Sequence, residues 1–533
     1  MRNKILFLIV VFLFLFSRLY KIDKIPQSAY WDEASIGYNA YSVLTTGKDE
    51  WGEFLPLHFR AFGEFKLPVY IYSAIPFIYF LGLNELSIRL PSVLFSLGSL
   101  ILVYFLSGKL FKSKNISLFS AFLFVALPWN FIFSRTGYEA SAGLFFYLSF
   151  LFVWLFYRPL EENNKNFSKK ILTIFISLLF LILSFYSYNS FRFWSPLTFI
   201  FLMAYDLINQ RAVSKRNLIL ILASLFIFLL SFYPIYRLYK FDYGSSRFQA
   251  VSLQGSYPDK ALSFLKNYAS HFSFDFLFSS GDKNLRSQIG GFGQLYILSL
   301  PFLFLGIIRL LRGKNFSSFF LLFLIFISPI PASLTKESPH ALRSILFAFV
   351  FPLVISLGIF DFGNIIDRFR LMTKNKTSKL SEKQKSVFIY FVSFLYILFF
   401  ASYFFNFQKN YNNLSFSDWQ GEYKDLFILK KDLIDKAEKV VISDIYAQPY
   451  IFALFYNKFD PLGFRQTATY NPADKWGFST VLSFDKFIFK DPTDDDIQKG
   501  YLVFSDKNIS GYDKYMIDNI VFSGKTYFFI YQK

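Results

Sequence analysis

Long apolar runs alternate along the chain with short polar connections. The runs fall at 5–16, 90–107, 116–133, 141–156, 171–186, 193–208, 218–235, 295–308, 317–332, 344–360 and 387–405. Most approach the roughly 20 residues that a helix needs to cross a bilayer. They predict a polytopic α-helical membrane protein with about 11 transmembrane helices. The first run follows Met1-Arg2-Asn3-Lys4 and looks like a signal peptide. The residues after it, Ser17-Arg18-Leu19-Tyr20-Lys21, offer no small-residue cleavage site, so it reads as an uncleaved first span. One more run, Leu67 to Gly82, is short and holds Pro68 and Pro76. As a span it would reverse the side of every later basic loop. It reads instead as an interfacial or re-entrant helix, 67–82, inside a first external loop, 21–87.

Beyond Asn406 the pattern changes. Residues 407–533 have an ordinary soluble composition. Val440-Val441-Ile442-Ser443 reads as a strand. Gln448 to Tyr456 reads as a helix opened by Pro449. The runs 501–504 and 527–530 read as further strands. The expected organisation is a membrane domain over 1–406 and a small α/β domain over 407–533. That second unit is suited to binding acceptor, covering the site or stabilising the assembly.

Composition sharpens this picture. The chain is 54% hydrophobic, with 77 Phe, and only 17% charged. Soluble proteins carry about 25% charged residues, so disorder is excluded and an ordinary soluble enzyme is disfavoured. There is no Cys, which excludes disulfides and thiolate chemistry. The net charge of +19 points to nucleic acid only until it is located. Residues 1–406 carry 40 Lys+Arg against 20 Asp+Glu, whereas 407–533 carry 16 against 17. The excess is concentrated in 1–4, 109–115, 158–170, 209–217, 309–316 and 361–385, with 22 Lys+Arg against 5 Asp+Glu. Basic loops stay cytoplasmic, which explains the charge without a nucleic-acid partner. The N-terminus is then cytoplasmic, the C-terminal domain extracytoplasmic, and the location the cell membrane.

The loops left outside are 21–87, 134–140, 188–192, 237–293 and 334–342. The first holds 8 Asp+Glu against 5 Lys+Arg, including Tyr30-Trp31-Asp32-Glu33 and Gly63-Glu64-Phe65-Lys66-Leu67-Pro68. A carboxylate held at membrane level by aromatic neighbours can take a proton from an incoming hydroxyl or amine. The bland alternative is a solvated acidic loop. The second loop places Arg135 and Glu139 where a span emerges. Charges there are costly unless paired or used, or unless the arginine snorkels. The loop Thr335 to Arg343 gathers Lys336, His340 and Arg343, a group suited to a phosphate. Gly290-Gly291-Phe292-Gly293 lacks phosphate-loop spacing. His58 and His271 suit surface or packing roles, and Asp494-Asp495-Asp496 suits a solvated turn.

This layout resembles the GT-C glycosyltransferases, most closely the bacterial branch related to protein O-mannosyltransferases and aminoarabinose transferases (glycosyltransferase family 39 and relatives). The resemblance covers 1–406 in layout. It is sharpest at Trp31-Asp32-Glu33, Gly47, Pro56, Gly63-Glu64, Lys66, Pro68 and Glu85-x-x-x-Arg89-Leu90-Pro91-Ser92. Arg135-x-x-x-Glu139 and Pro339-His340-Ala341-Leu342-Arg343 look like further family positions. The resemblance implies a sugar donor on a polyprenyl phosphate. Its acceptor is a protein, a lipid-linked saccharide or a surface glycan. It implies Asp32 as the base, with Glu33 in the hallmark pair, and inversion at the anomeric carbon. Lys66 resembles the family lysine on the donor phosphate, with Arg135, His340 and Arg343 as further phosphate candidates. Glu64 and Glu139 resemble positions that orient the acceptor or, in some relatives, hold a divalent metal. Metal dependence stays open, and no cofactor is certain. Glu139 departs from the Asp of several relatives, and no two of the three His lie at metal-ligand spacing.

Two other readings compete. A lipid or glycan transporter would place ionisable groups mid-membrane in repeated halves, whereas here they cluster at external ends. A polymerase or ligase of lipid-linked glycans, or a non-catalytic scaffold, does not account for Asp32-Glu33 directly after the first span.

Overall fold

The computed structural model describes residues 2–157, 167–208, 215–241, 244–372, 382–446, 448–472 and 478–533, without the side chains of 2, 364–372 and 382. Each of the eleven apolar runs is helical over all or most of its length. In order they form α1 (Arg2–Leu19), α4 (Glu85–Phe111), α5 (Lys114–Ala126), α6 (Glu139–Tyr157), α7 (Phe167–Phe185), α8 (Phe191–Ile208), α9 (Lys215–Leu230), α13 (Ser299–Arg312), α14 (Phe316–Ile327), α16 (Phe347–Met372) and α17 (Glu382–Leu414). Seven helices among the described residues are long and apolar enough to cross a bilayer. α5 and the described apolar part of α16 are apolar but shorter. Large side chains such as Phe12, Phe175, Phe226 and Phe405 stand outward from the bundle, which is where acyl chains replace water as solvent.

Between α1 and α4 lie α2 (Trp31–Thr46) and α3 (Pro68–Leu81), joined by the two-stranded ribbon β1 (Phe59–Arg60) and β2 (Phe65–Lys66). α3 is a helix where one was expected at 67–82, opened by Pro68 in its first turn. α2 was not anticipated. It ends where Gly47, at φ 71°, turns its N–H back to the Val43 carbonyl, a left-handed stop that favours glycine. α4 begins with a reciprocal cap between Asn84 and Ser87.

The loop after α9 carries α10 (Tyr233–Phe241), α11 (Ser246–Val251) and α12 (Tyr257–Ser270), and α15 (Ile330–Ser333) follows α14. The expected basic segments 158–170, 209–217 and 361–385 lie partly outside the described residues. Where described, such segments adjoin one another: Lys170 donates to Asn217 at 3.1 Å, and Ser317 donates to the Leu110 carbonyl at 2.6 Å.

α17 runs through position 406 without a break. After it come α18 (Gly421–Leu429), α19 (Lys431–Lys436), α20 (Pro449–Asn457) and α21 (Pro461–Thr467), which flank a seven-stranded sheet. Its strands are β3 (Lys439–Ile442), β4 (Thr469–Tyr470), β5 (Val481–Phe484), β6 (Phe487–Phe489), β7 (Tyr501–Ser505), β8 (Met516–Phe522) and β9 (Lys525–Gln532), in the order β4-β5-β6-β3-β7-β9-β8. β3 is central and parallel to β6 and β7. Its Val440, Val441 and Ile442 are fully buried, as a strand covered on both faces requires. This unit does not hang free. Ile36, Tyr38, Ala40, Ile71 and Ile88 share one apolar core with Tyr450, Ile451, Phe455, Phe464 and Phe528. Lys424 pairs with Glu85 at 2.7 Å, and Arg465 donates to the Asp49 carbonyl at 3.0 Å. The C-terminal unit is therefore packed onto α2 and the start of α4, at the end of the bundle where the first loop folds.

Candidate active site

A cavity of about 600 Å³ opens at that end of the bundle. Every segment read from the sequence as an external loop contributes to its wall: Asp32, Glu64 and Lys66 from the first, Glu139 from the second, then Asn189, Arg286 and His340. Arg343, one residue past the last of them, joins the same wall.

Asp32 stands in the first turn of α2, where the helix dipole favours a carboxylate. The Lys66 ammonium donates to its Oδ1 and, at 3.3 Å, to Glu64 Oε1. Glu64 turns its other oxygen to Arg247 at 3.2 Å. Trp31 stacks on Phe62, and the Lys66 ammonium lies 5.7 Å from that Phe62 ring. Burial pushes the Asp32 carboxyl up. The Lys66 charge and hydrogen bond, with Arg286 and Arg247 behind them, outweigh it and hold Asp32 below the usual carboxylate value. Burial alone would push the Lys66 ammonium down, but the charges of Asp32, Glu64 and Glu139 hold it above the usual lysine value. Glu139 opens α6, and its Oε1 is buried without a hydrogen-bond partner.

Of the sequence candidates, Asp32, Glu64, Lys66, Glu139, His340 and Arg343 line the cavity. Glu33 and Arg135 do not. Glu33 follows Asp32 on the helix and therefore points elsewhere. It is fully buried, 3.0 Å from Arg89, and accepts from the Gly137 N–H at 2.6 Å. Arg89 also donates to the carbonyls of Ile22, Pro26 and Ser28. A side chain at position 137 would meet Glu33 Cγ at 3.0 Å, so only glycine lets the two segments approach this closely. Arg135 is likewise fully buried. It donates to the carbonyls of Ser17, Tyr20, Lys21 and Ile25 and packs 4.6 Å from the Phe407 ring. Both groups tie the chain after α1 to α4, α6 and α17.

His340 is held by its backbone, whose N–H donates to His271 Nε2 at 3.3 Å. Burial, then the charges of Arg343, His271 and Arg286, push its imidazole far below the usual histidine value. It is neutral at pH 7 and offers hydrogen bonding rather than charge. Arg343 reaches Thr335 at 2.9 Å and Glu337 at 3.5 Å.

Three arginines on the wall escaped the sequence reading. Arg286 packs 5.2 Å over Tyr30, Arg247 holds Glu64, and Arg192 donates to Tyr239 while its Nε and Nη2 have no hydrogen-bond partner among the described residues. Their signal was available only as isolated charges in loops read as external, or at the start of a span.

Among the described residues, no group of three or more His, Asp or Glu is placed to hold a metal ion. Glu64 and Glu139 do not form such a set. The Lys66 ammonium donates to Glu64 and Asp32.

The sequence matches the family model described as dolichyl-phosphate-mannose-protein mannosyltransferase over residues 8–239. No curated protein matches it. Among solved structures, ArnT from Cupriavidus metallidurans in the apo state superposes with a TM-score of 0.51 at 12% identity, covering 85% of this chain and 84% of that one. The archaeal oligosaccharyltransferase AglB from Archaeoglobus fulgidus, solved with an inhibitory peptide and a dolichol-phosphate, superposes with a TM-score of 0.50 at 13% identity. That match covers 85% of this chain and 63% of the archaeal protein. At such identities the likeness is one of fold. The chain has the GT-C architecture and resembles the branch that contains ArnT and the protein mannosyltransferases.

Proposed function

We propose that the chain transfers a sugar from a polyprenyl-phosphate donor to an acceptor at the extracytoplasmic face, with Asp32 as the base. The observation that carries this reading is the Asp32–Lys66 pair in the cavity wall, set among Glu64, Glu139 and several arginines. The family match over 8–239 and the dolichol-phosphate bound to the archaeal relative support a lipid phosphate as the donor's leaving group.

The pair connects donor binding to base strength. Lys66 holds Asp32 ionised but weakly basic. A donor phosphate brought beside Lys66 competes for the ammonium. Asp32 then loses its partner and gains proton affinity just where an acceptor hydroxyl arrives. The acceptor oxygen forms a bond to the anomeric carbon as its proton passes to Asp32. On the opposite side the bond between that carbon and the phosphate oxygen breaks, and its electron pair leaves with the phosphate. Lys66, Arg286 and Arg343 are placed to stabilise that anion as charge develops. The configuration inverts. Glu64 and Glu139 orient the acceptor.

The decisive variant is Asp32→Asn, which keeps shape and removes the base. Loss of a positioned base costs roughly 10²–10⁴-fold in rate, while donor binding should persist because cations make it. Near-normal turnover by Asp32→Asn in nanodiscs would remove Asp32 from this role.

A further inference from the structure

The segment between α9 and α13 reads from the sequence as an external loop, yet it contains a helix that water does not suit. No residue of α12 is buried. At 100° per residue, Tyr257, Ala261, Leu262, Leu265 and Ala269 fall on one side. Asp259, Lys260, Lys266 and Asn267 fall on the other. The apolar side is open: Tyr257 is 91% exposed, Leu262 69% and Leu265 62%. Three residues on that scale would form a costly patch in water.

The position of α12 indicates what covers that patch. The Tyr268 hydroxyl donates to the Phe326 carbonyl at 3.0 Å, and the two rings lie 6.1 Å apart. Phe326 belongs to the candidate span Phe316–Ser333 and is itself 62% exposed. At ~1.5 Å per residue, it sits about 10 Å short of that span's end. The end of α12 therefore lies at membrane depth, against a lipid-facing side chain, and the apolar side continues a lipid-facing surface. Two lysines on the polar side suit anionic headgroups.

α12 is also fixed to the cavity wall. Asn267 donates to the Thr335 carbonyl at 3.0 Å. His271, just after the helix, bonds the Asn267 carbonyl at 2.8 Å and accepts from the His340 N–H. Just before it, the Lys336 N–H donates to the Val251 carbonyl at 2.8 Å. The loop so held carries His340 and, next along, Arg343.

We propose that α12 lies in the leaflet at the cavity end, its apolar side among acyl chains. Through Asn267 and His271 it sets the level of the cavity rim relative to the lipid headgroups.

The chain has no Cys, so single sites can be labelled. An environment-sensitive dye would be attached to Leu262→Cys or Lys266→Cys. The protein would be placed in phosphatidylcholine–phosphatidylglycerol vesicles containing acyl-chain spin labels. The dye at 262 should be quenched by the spin labels and shielded from iodide, with the reverse at 266. Iodide quenching at 262 without spin-label quenching would overturn the placement. So would a covalent dimer through Leu262→Cys, which would make a second copy the occupant. The dye measurement needs no turnover, so failure of the transfer reading is recognised separately.

Discussion

Lys66→Met removes one charge and little volume from the centre of the cavity's charge network. The structure gives the size of the effect. Lys66 is 5% exposed and faces Asp32, Glu64 and Glu139. A pair about 4 Å apart at an effective dielectric of 20 interacts by about 4 kcal/mol, and Asp32 and Glu64 share this one ammonium. Without it, burial governs Asp32, and its carboxyl moves from below the usual value to above it. The paired Asp32 is fully charged above the unfolded carboxylate value, and that stabilisation fades as pH falls through its depressed folded value. In Lys66→Met this is reversed, and the folded protein takes up protons at higher pH than the unfolded chain. The acid limb of the pH–rate profile should therefore rise. Donor affinity should fall as well, because a charge-assisted contact contributes about 1.5–3 kcal/mol, roughly 10- to 100-fold. The assay is donor binding and kcat/KM against pH in nanodiscs, beside Asp32→Asn. Unchanged donor affinity together with an unmoved acid limb would refute the reasoning.

Glu33→Gln should behave oppositely to Asp32→Asn: breaking its buried pair with Arg89 costs about 3–5 kcal/mol, so thermal stability should drop while protein that remains folded keeps its pH profile. A rate loss without a stability loss would return Glu33 to the chemistry. Glu50, fully buried beside α2, is pushed up to about 8 by burial and then by Asp49. The folded state holds its proton where the unfolded chain does not, so stability should decline from pH 5 to 8, by up to about 1.4 kcal/mol per unit. Glu50→Gln should flatten that slope, and an identical slope in both proteins counts against it. For topology, single Cys residues in 21–87 and 334–342 should react with an impermeant reagent in intact cells and those in 361–385 should not; labelling of 361–385 would reverse the orientation and take the cavity off the donor's face.

The bundle was legible because hydrophobic length is a one-dimensional signal. Eleven apolar runs became helices, and the two prolines that removed Leu67–Gly82 from the spans marked α3. The strands Val440–Ile442, Tyr501–Ser505 and Lys525–Gln532 followed their β-rich composition in the same way. α2 was missed although Asp32 and Glu33 stand in its first turn and Ile36, Ala40 and Val43 repeat at helical spacing. Its apolar face meets Tyr450 and Phe455, more than four hundred residues away, and no local pattern announces that partner.

The site was legible to the same degree and for the same reason. Sequence could group charges by loop, and six of the candidates gather at one end of the bundle in the cavity wall. It could not separate neighbours whose side chains diverge. Asp32 and Glu33 are adjacent and chemically alike, yet the rotation of about 100° between successive helical residues sends the first to Lys66 and the second to Arg89. Nor could it separate an arginine that faces a cavity from one that faces backbone. Arg135 donates to four carbonyls and leaves only its Nε unmatched, whereas Arg192, among the described residues, leaves both Nε and Nη2 without partners. Burying a guanidinium is tolerable only when its donors are met. Arg135 therefore meets most of its donors within the chain, whereas Arg192 stands in the cavity wall with a single partner, Tyr239, among the described residues.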